Sequence, residues 1–252
     1  MHAEPRDMLE GFGQFASRLP GGIVLAVAFR PGDDPLVAGA DRQFHAWSTI
    51  KVPVLVALLS VVHRQALMPE HHDLARRAIT ESDNAAILEL FLLLEGLTGG
   101  SAQAAAVMER LFRLSGDHRT AVTLAPPPPG AVTPFGQTGW SAAGSARFFS
   151  ALAAGRLLAD PDTRYVLDLM ERVAAEQRWG LGRLGRSVAF KGGWGPEPDG
   201  SCLVRQSGVL RRGRCAISLV AEPPPGEDSL NLGVRMISEA AGWLAGRLDH
   251  VS

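Results

Sequence analysis

Ala46-Trp47-Ser48-Thr49-Ile50-Lys51-Val52-Pro53-Val54-Leu55 holds one of only two lysines in a 252-residue chain that otherwise draws its positive charge from arginine. An apolar run, KVPVLVALLSVVHRQ, begins at that lysine and reads as a helix. A serine three residues before a lysine at a helix start puts both side chains on one face, within hydrogen-bonding reach. For Lys51 to take the proton of Ser48, its amine must be neutral at working pH. That means lowering its pKa from about 10.4 to about 7 or 8, at a cost of roughly 4 kcal/mol. Arginine stays charged in proteins and cannot do this. The lysine therefore marks a place where a deprotonatable amine is useful, although serine-x-x-lysine alone has roughly an even chance of occurring in a domain of this size.

Two further groups follow in order. Ser82-Asp83-Asn84, within TESDNAAI, falls in the loop before a helix, and Lys191-Gly192-Gly193, within VAFKGGWG, falls on a short β-type run. Read alone, Ser82 or Asp83 is a cap for the helix from Asn84. Together, on helix start, inter-helix loop and strand, the three groups resemble the active-site motifs of class A β-lactamases and penicillin-binding proteins. The resemblance covers most of the chain. It implies an α/β (α+β) fold, with an antiparallel sheet, flanking terminal helices and an all-helical lobe, and the active site between them. It also implies a nucleophilic Ser48 with Lys51 as proton acceptor or relay. Ser82 would pass a proton to the leaving group, and Asn84 would hydrogen-bond the substrate amide and orient Lys51. Lys191 would lower the pKa of Lys51 by like-charge repulsion and attract a substrate carboxylate. Gly193 and Trp194 would contact the substrate, and the backbone N–H groups of Ser48 and Trp194 would form the oxyanion hole.

The chain departs from that pattern at three places. Gly192 stands where the family has threonine or serine after the strand lysine, so a hydroxyl for the substrate carboxylate is missing. Arg205, on the next β-type run, is the candidate to replace it as a bidentate partner; as a structural residue it would be an exposed strand arginine. The interval from Ser48 to Ser82 is short for a class A enzyme, so one wall of the cleft is expected to be trimmed, with Trp194 and the GWGPEPDG turn shaping the pocket. The segment TAVTLAPPPPGAVTPFGQTG, Thr120 to Gly139, carries no acidic residue where class A enzymes carry the deacylating glutamate. Asp117 and His118, just before it, are candidate replacements, although SGDHRT also reads as a surface turn.

Around these groups the chain is organised as one globular unit with 46% hydrophobic residues. Pro5 to Leu19 carries apolar residues at helical spacing, and GGIVLAVAFRPGDDPLVAGA reads as a hairpin about Pro31-Gly32-Asp33-Asp34. From Ser48 to about Arg178 the segments are nearly all helical. SVAFKGG, SCLVRQSGVL and RCAISLVAEPP then read as strands, and LNLGVRMISEAAGWLAGRL as a closing helix. Strands at both ends imply that the ends meet in one sheet, giving an α/β lobe over 1–44 and 179–252 and a helical lobe over 45–178. A turn near Arg211-Arg212-Gly213 pairs Cys215 with Val209 and sends the sulfurs of Cys202 and Cys215 to opposite faces, which makes a bridge improbable.

A net charge of −1, with its basic residues scattered, leaves no footprint for nucleic acid. The apolar runs near Ile23 and Val52 are too short to span a bilayer. Glu4, Asp7 and Glu10 stand where a secretory leader has a basic segment and then an apolar run, so the chain as given is expected to be cytoplasmic, or periplasmic or secreted if a leader has been removed. Two cysteines without histidines at ligand spacing make a poor metal site, and no cofactor is implied. The expected partner is a small-molecule substrate, and nothing in the sequence sets an oligomeric state. The functional expectation is a serine hydrolase of the β-lactamase-like kind, forming an acyl-enzyme on a β-lactam or related amide or ester and deacylating slowly. The alternatives are an esterase, amidase or acyltransferase on a non-β-lactam substrate, and a non-catalytic ligand-binding module.

Overall fold

The computed structural model describes residues 5–30, 32–127, 133–185, 187–210 and 215–248. In it the strand β1 (Gly22–Ala28) is buried at every position after Gly22, as a strand covered on both faces must be. It lies between β2 (Leu36–Ala38) and β7 (Cys215–Glu222) in a five-stranded antiparallel sheet of order β2-β1-β7-β6-β5, with β6 (Cys202–Leu210) and β5 (Ala189–Pro196) completing it. The two ends of the chain thus meet in one sheet, as the strand pattern implies. Helices α1 (Pro5–Ala16) and α8 (Ser229–Leu248) cover one face, where Phe12 meets Trp243 edge-on with ring centres 5.3 Å apart. Among the described residues no single helix is long and apolar enough to cross a membrane.

Between the sheet halves lie α2 (Lys51–Val61), α3 (Pro69–Arg76), α4 (Asn84–Thr98), α5 (Ser101–Leu114), α6 (Ala142–Ala153) and α7 (Asp160–Glu171). Helix α2 is apolar all round and buried from Lys51 to Leu59, which makes it the axis of the helical lobe. Pro53 sits in its first turn, where a missing N–H costs no intrahelical bond. Two features add to the sequence reading. Helix α6 packs on β1, β6 and β7, covering the second face of the sheet, while its Phe148 and Phe149 also join the core of the helical lobe. A two-stranded sheet, β3 (Phe44–His45) with β4 (Gly139–Trp140), interrupts the block read as helical.

The register of the last hairpin also differs. Cys215 pairs with Leu210 and Val209 with Ala216, one residue away from the expected pairing. A one-residue slip turns one strand's side chains over relative to the other, so Cys202 and Cys215 point to the same face rather than opposite ones. They stand roughly 26 Å apart along the strands at the rise of a β-strand, too far for a bridge to each other. The residues expected to form the turn, Arg211-Arg212-Gly213, lie outside the described residues, as does Pro31 of the first hairpin.

Candidate active site

Ser48 lies in a short 3-10 helix, Trp47–Ile50, that runs straight into α2, so its hydroxyl stands at the helix entrance. Trp47, at φ 46°, takes the left-handed conformation that a bulky residue avoids. Its ring meets His45 edge-on, with ring centres 5.8 Å apart, and lies close over Gly195. The indole N–H donates to Glu197 Oε1 at 3.3 Å, and a Cβ added at Gly195 would come within 2.5 Å of the ring. Gly193 does the same for the backbone: a Cβ there would lie 2.8 Å from Ser48 N and 2.9 Å from Thr49 N. The glycines of β5 therefore let the strand lie directly against the segment that carries the nucleophile candidate.

Ser82 is presented by a different device. Helix α3 continues into a π-helical turn, Arg77–Glu81, and the chain then reverses through Ser82 at φ 61°. Asp83, next in line, caps α4 by accepting from Ala85 N at 2.9 Å and Ala86 N at 3.1 Å. Those amides, with Arg77 beside it, hold its carboxyl below the usual carboxylate range. The capping role thus falls to Asp83, and the Ser82 side chain is left for the cleft. The turn is clamped from behind, where Ala174 N donates to Thr80 O at 2.8 Å and Gln177 Nε2 to Glu81 O at 3.1 Å.

The two lysines converge on this serine. Lys51 Nζ donates to Asn84 Oδ1 at 2.7 Å, to Ser82 Oγ at 3.2 Å and to the Ser82 carbonyl. Lys191 Nζ, from β5, donates to Ser82 Oγ at 2.9 Å and to Gly192 O at 3.0 Å. Burial draws the Lys51 pKa from 10.5 down to about 7, with Asp83 opposing. Lys191 is pushed well below its ordinary value, first by burial and then by the nearby charge of Lys51. The fall at Lys51 thus comes chiefly from desolvation, whereas the sequence reading attributed it to Lys191. No hydrogen bond joins Ser48 Oγ to Lys51 Nζ, which is directed at Ser82 and Asn84; contacts of this kind commonly tighten only when substrate is bound.

Ser48, Ser82, Asn84 and Trp194 line one cleft of about 390 Å³, with Trp47, Glu81, Thr133, Gly136, Gln177, Gly195 and Pro196. Cavities of about 460 and 490 Å³ elsewhere are larger, but neither includes a serine at a helix start beside a buried lysine. Lys51 and Lys191 lie behind the cleft wall, 1% and 0% exposed. Arg205 is not in the cleft. It is fully buried on β6, opposite Gly193 and one strand inward from the edge. Its Nη1 donates to Trp140 O at 2.9 Å and His45 O at 3.2 Å, bracing the β3–β4 pair. That environment lowers its pKa to about 9 through desolvation. Arg205 is thus neither the expected carboxylate clamp nor an exposed strand arginine.

Asp117 is likewise removed from the chemistry. It is buried in its own turn, accepting from Arg119 N at 3.0 Å and Thr120 Oγ1 at 2.6 Å, and His118 beside it is exposed away from the cleft wall. Glu81, Gln177, Thr133 and Gly136 are wall residues that the sequence reading did not single out. Glu81 had the clearest signal, standing directly before the serine of Ser82-Asp83-Asn84. Among the described residues, no group of three or more His, Cys, Asp or Glu is placed to hold a metal ion.

No family model matches the chain, and no curated protein matches it. Solved structures do. PBP-A covers 97% of this chain and 97% of its own, at a TM-score of 0.71 and 20% identity. The β-lactamase from Sphaerobacter thermophilus covers 96% and 98%, at a TM-score of 0.70 and 16% identity. The chromosome-encoded β-lactamase of Vibrio parahaemolyticus covers 96% and 98%, at 0.68 and 14%. At these identities the likeness carries the architecture, so the chain has the fold shared by class A β-lactamases and penicillin-binding proteins.

Proposed function

We propose that this chain is a serine acyl-transfer enzyme, in which Ser48 opens a β-lactam or a related amide or ester and holds the acyl group until water releases it. The observation that supports this most is the Ser82 hydroxyl, approached by two buried amines at 3.2 and 2.9 Å beside a serine at a helix start. Burying two amines with no carboxylate hydrogen-bonded to either is costly for a fold and has little structural use. A pKa of about 7 suits Lys51 to proton transfer near neutral pH.

In this reading neutral Lys51 takes the Ser48 proton, directly or through Ser82, as the serine oxygen bonds to the carbonyl carbon. The carbonyl oxygen takes up negative charge opposite the backbone N–H groups of Ser48 and Trp194. Ser82, resupplied by the lysines, gives a proton to the departing nitrogen or oxygen. Asn84 holds Lys51 through Oδ1 and leaves its NH2 for the substrate amide. A non-catalytic binding module would have no use for a lowered amine beside a serine. The acyl donor need not be a β-lactam: Gly192 offers no hydroxyl and Arg205 is engaged elsewhere, which favours the esterase, amidase or biosynthetic acyltransferase reading of the same chemistry. A fluorophosphonate or fluorescent penicillin should label wild type and not Ser48→Ala; undiminished labelling of the variant would remove Ser48 from the proposal.

A further inference from the structure

Resting on the acyl-serine reading of Ser48, the charges around the cleft restrict what the acyl donor can carry. The one ionisable acid or base among the described residues of the wall is Glu81. No cation is offered in compensation. Lys51 and Lys191 stand behind the wall and direct their hydrogens to Ser82, Asn84 and Gly192. Arg205 is buried against the carbonyls of β3 and β4. Arg76 is paired with both Asp73 and Glu81, and Arg77 with Asp83. At Gly192 there is no side chain at all. What the wall does offer is flat and weakly polar: the Trp47 ring, the Trp194 ring backed edge-on by Trp179 at 6.1 Å, Pro196 and Gly195.

A carboxylate entering this cleft leaves water for a wall with no free positive partner, on which the one charged group is a carboxylate, Glu81, that already occupies Arg76. An uncharged apolar group meets aromatic faces that are half-desolvated already. We propose that the cleft takes an uncharged acyl donor, an ester or amide with a flat apolar acyl group and no carboxylate near the reacting carbonyl, and that Glu81 turns carboxylates away.

Matched pairs test this. Benzylpenicillin and its methyl ester differ at the carboxylate alone. The 4-nitrophenyl esters of hexanoic acid and of adipic acid, as the mono-ester, differ in the same way without a β-lactam. Acylation is followed by intact mass on wild type, Ser48→Ala and Glu81→Gln. The expected result is an adduct absent from Ser48→Ala, with the uncharged member of at least one pair reacting roughly 10-fold faster and neither charged member preferred. In Glu81→Gln that ratio should narrow several-fold, because the like charge is gone and Arg76 loses a partner; a purely structural role for Glu81 would slow both members alike. A Ser48-dependent adduct that forms as fast or faster with the carboxylate-bearing members overturns the inference and leaves the acyl-serine reading standing. Absence of any Ser48-dependent adduct with all four compounds overturns both. A ratio unchanged in Glu81→Gln overturns the role given to Glu81.

Discussion

Burial brings the Lys51 amine to a pKa of about 7, against the opposing pull of Asp83, and that value sets a direction for the chemistry. The neutral form is the one that accepts a proton, so acylation should rise as pH increases through about 7 and level off above it, approaching tenfold per pH unit well below that point. Lys51→Arg keeps a positive charge but cannot deprotonate. It should lose roughly 100-fold or more in acylation rate, and the pH-dependent limb with it; a variant that acylates at the wild-type rate would mean that only charge matters at this position. Ser48 and Lys51 were legible from spacing, because they share one helix turn, whereas Ser82, Asn84 and Lys191 were legible only through the resemblance of their motifs, since nothing in the spacing of a loop and a strand this far apart says that they meet. Arg205 was not legible, because alternation along β6 tells which face a residue takes but not what lies over it. Its side chain is covered by β3 and β4, whose carbonyls it meets.

Elements set the distances at which those side chains meet. Strand β5 carries Lys191 and also supports the segment holding Ser48, and it can approach so closely only because Gly193 has no side chain. In Gly193→Ala the new Cβ would stand 2.8 Å from Ser48 N and 2.9 Å from Thr49 N, atoms of backbone that cannot rotate aside. The segment must shift, and we expect a loss of stability of about 1–3 kcal/mol, with acylation falling on the order of 100-fold as the serine is displaced. Gly192→Ala is the control, since its Cβ would meet Trp179 at 3.5 Å, an ordinary contact. Comparable acylation rates in the two variants would argue against strand-to-helix contact as the positioning device. The glycines could be read in the sequence as a strand motif, but their partner could not, because the close approach joins residues more than 140 positions apart. The same holds for the π-turn after α3, whose geometry is held by Ala174 and Gln177 from beyond α7. The register of the last hairpin depends on a turn whose geometry hydrophobic alternation does not specify.

For the molecule as a whole, the proposed acyl-serine chemistry would have its two halves unequally supplied. Formation of the acyl-serine would draw on groups from three parts of the fold, with both lysines converging on Ser82. Its hydrolysis needs a base to activate water against the ester, and the segment from Thr120 to Gly139 brings to the cleft only Thr133 and Gly136 among its described residues and contains no acid anywhere. Asp117 is occupied in its own turn, and Glu81, the one acid on the described wall, is paired with Arg76. A missing general base is worth roughly 100- to 10,000-fold, so release should lag acylation by about that factor and the adduct should accumulate. Stopped-flow mixing with 4-nitrophenyl hexanoate should give a burst of about one equivalent of nitrophenolate followed by a slow steady state, and intact mass should find the hexanoyl-serine on Ser48. Fast multiple turnover with no burst would defeat this. Glu81→Gln then divides the remaining explanations: if the burst returns in that variant, Glu81 is the water-activating base despite its pairing with Arg76, and if turnover stays fast, Lys51 itself serves both halves of the cycle.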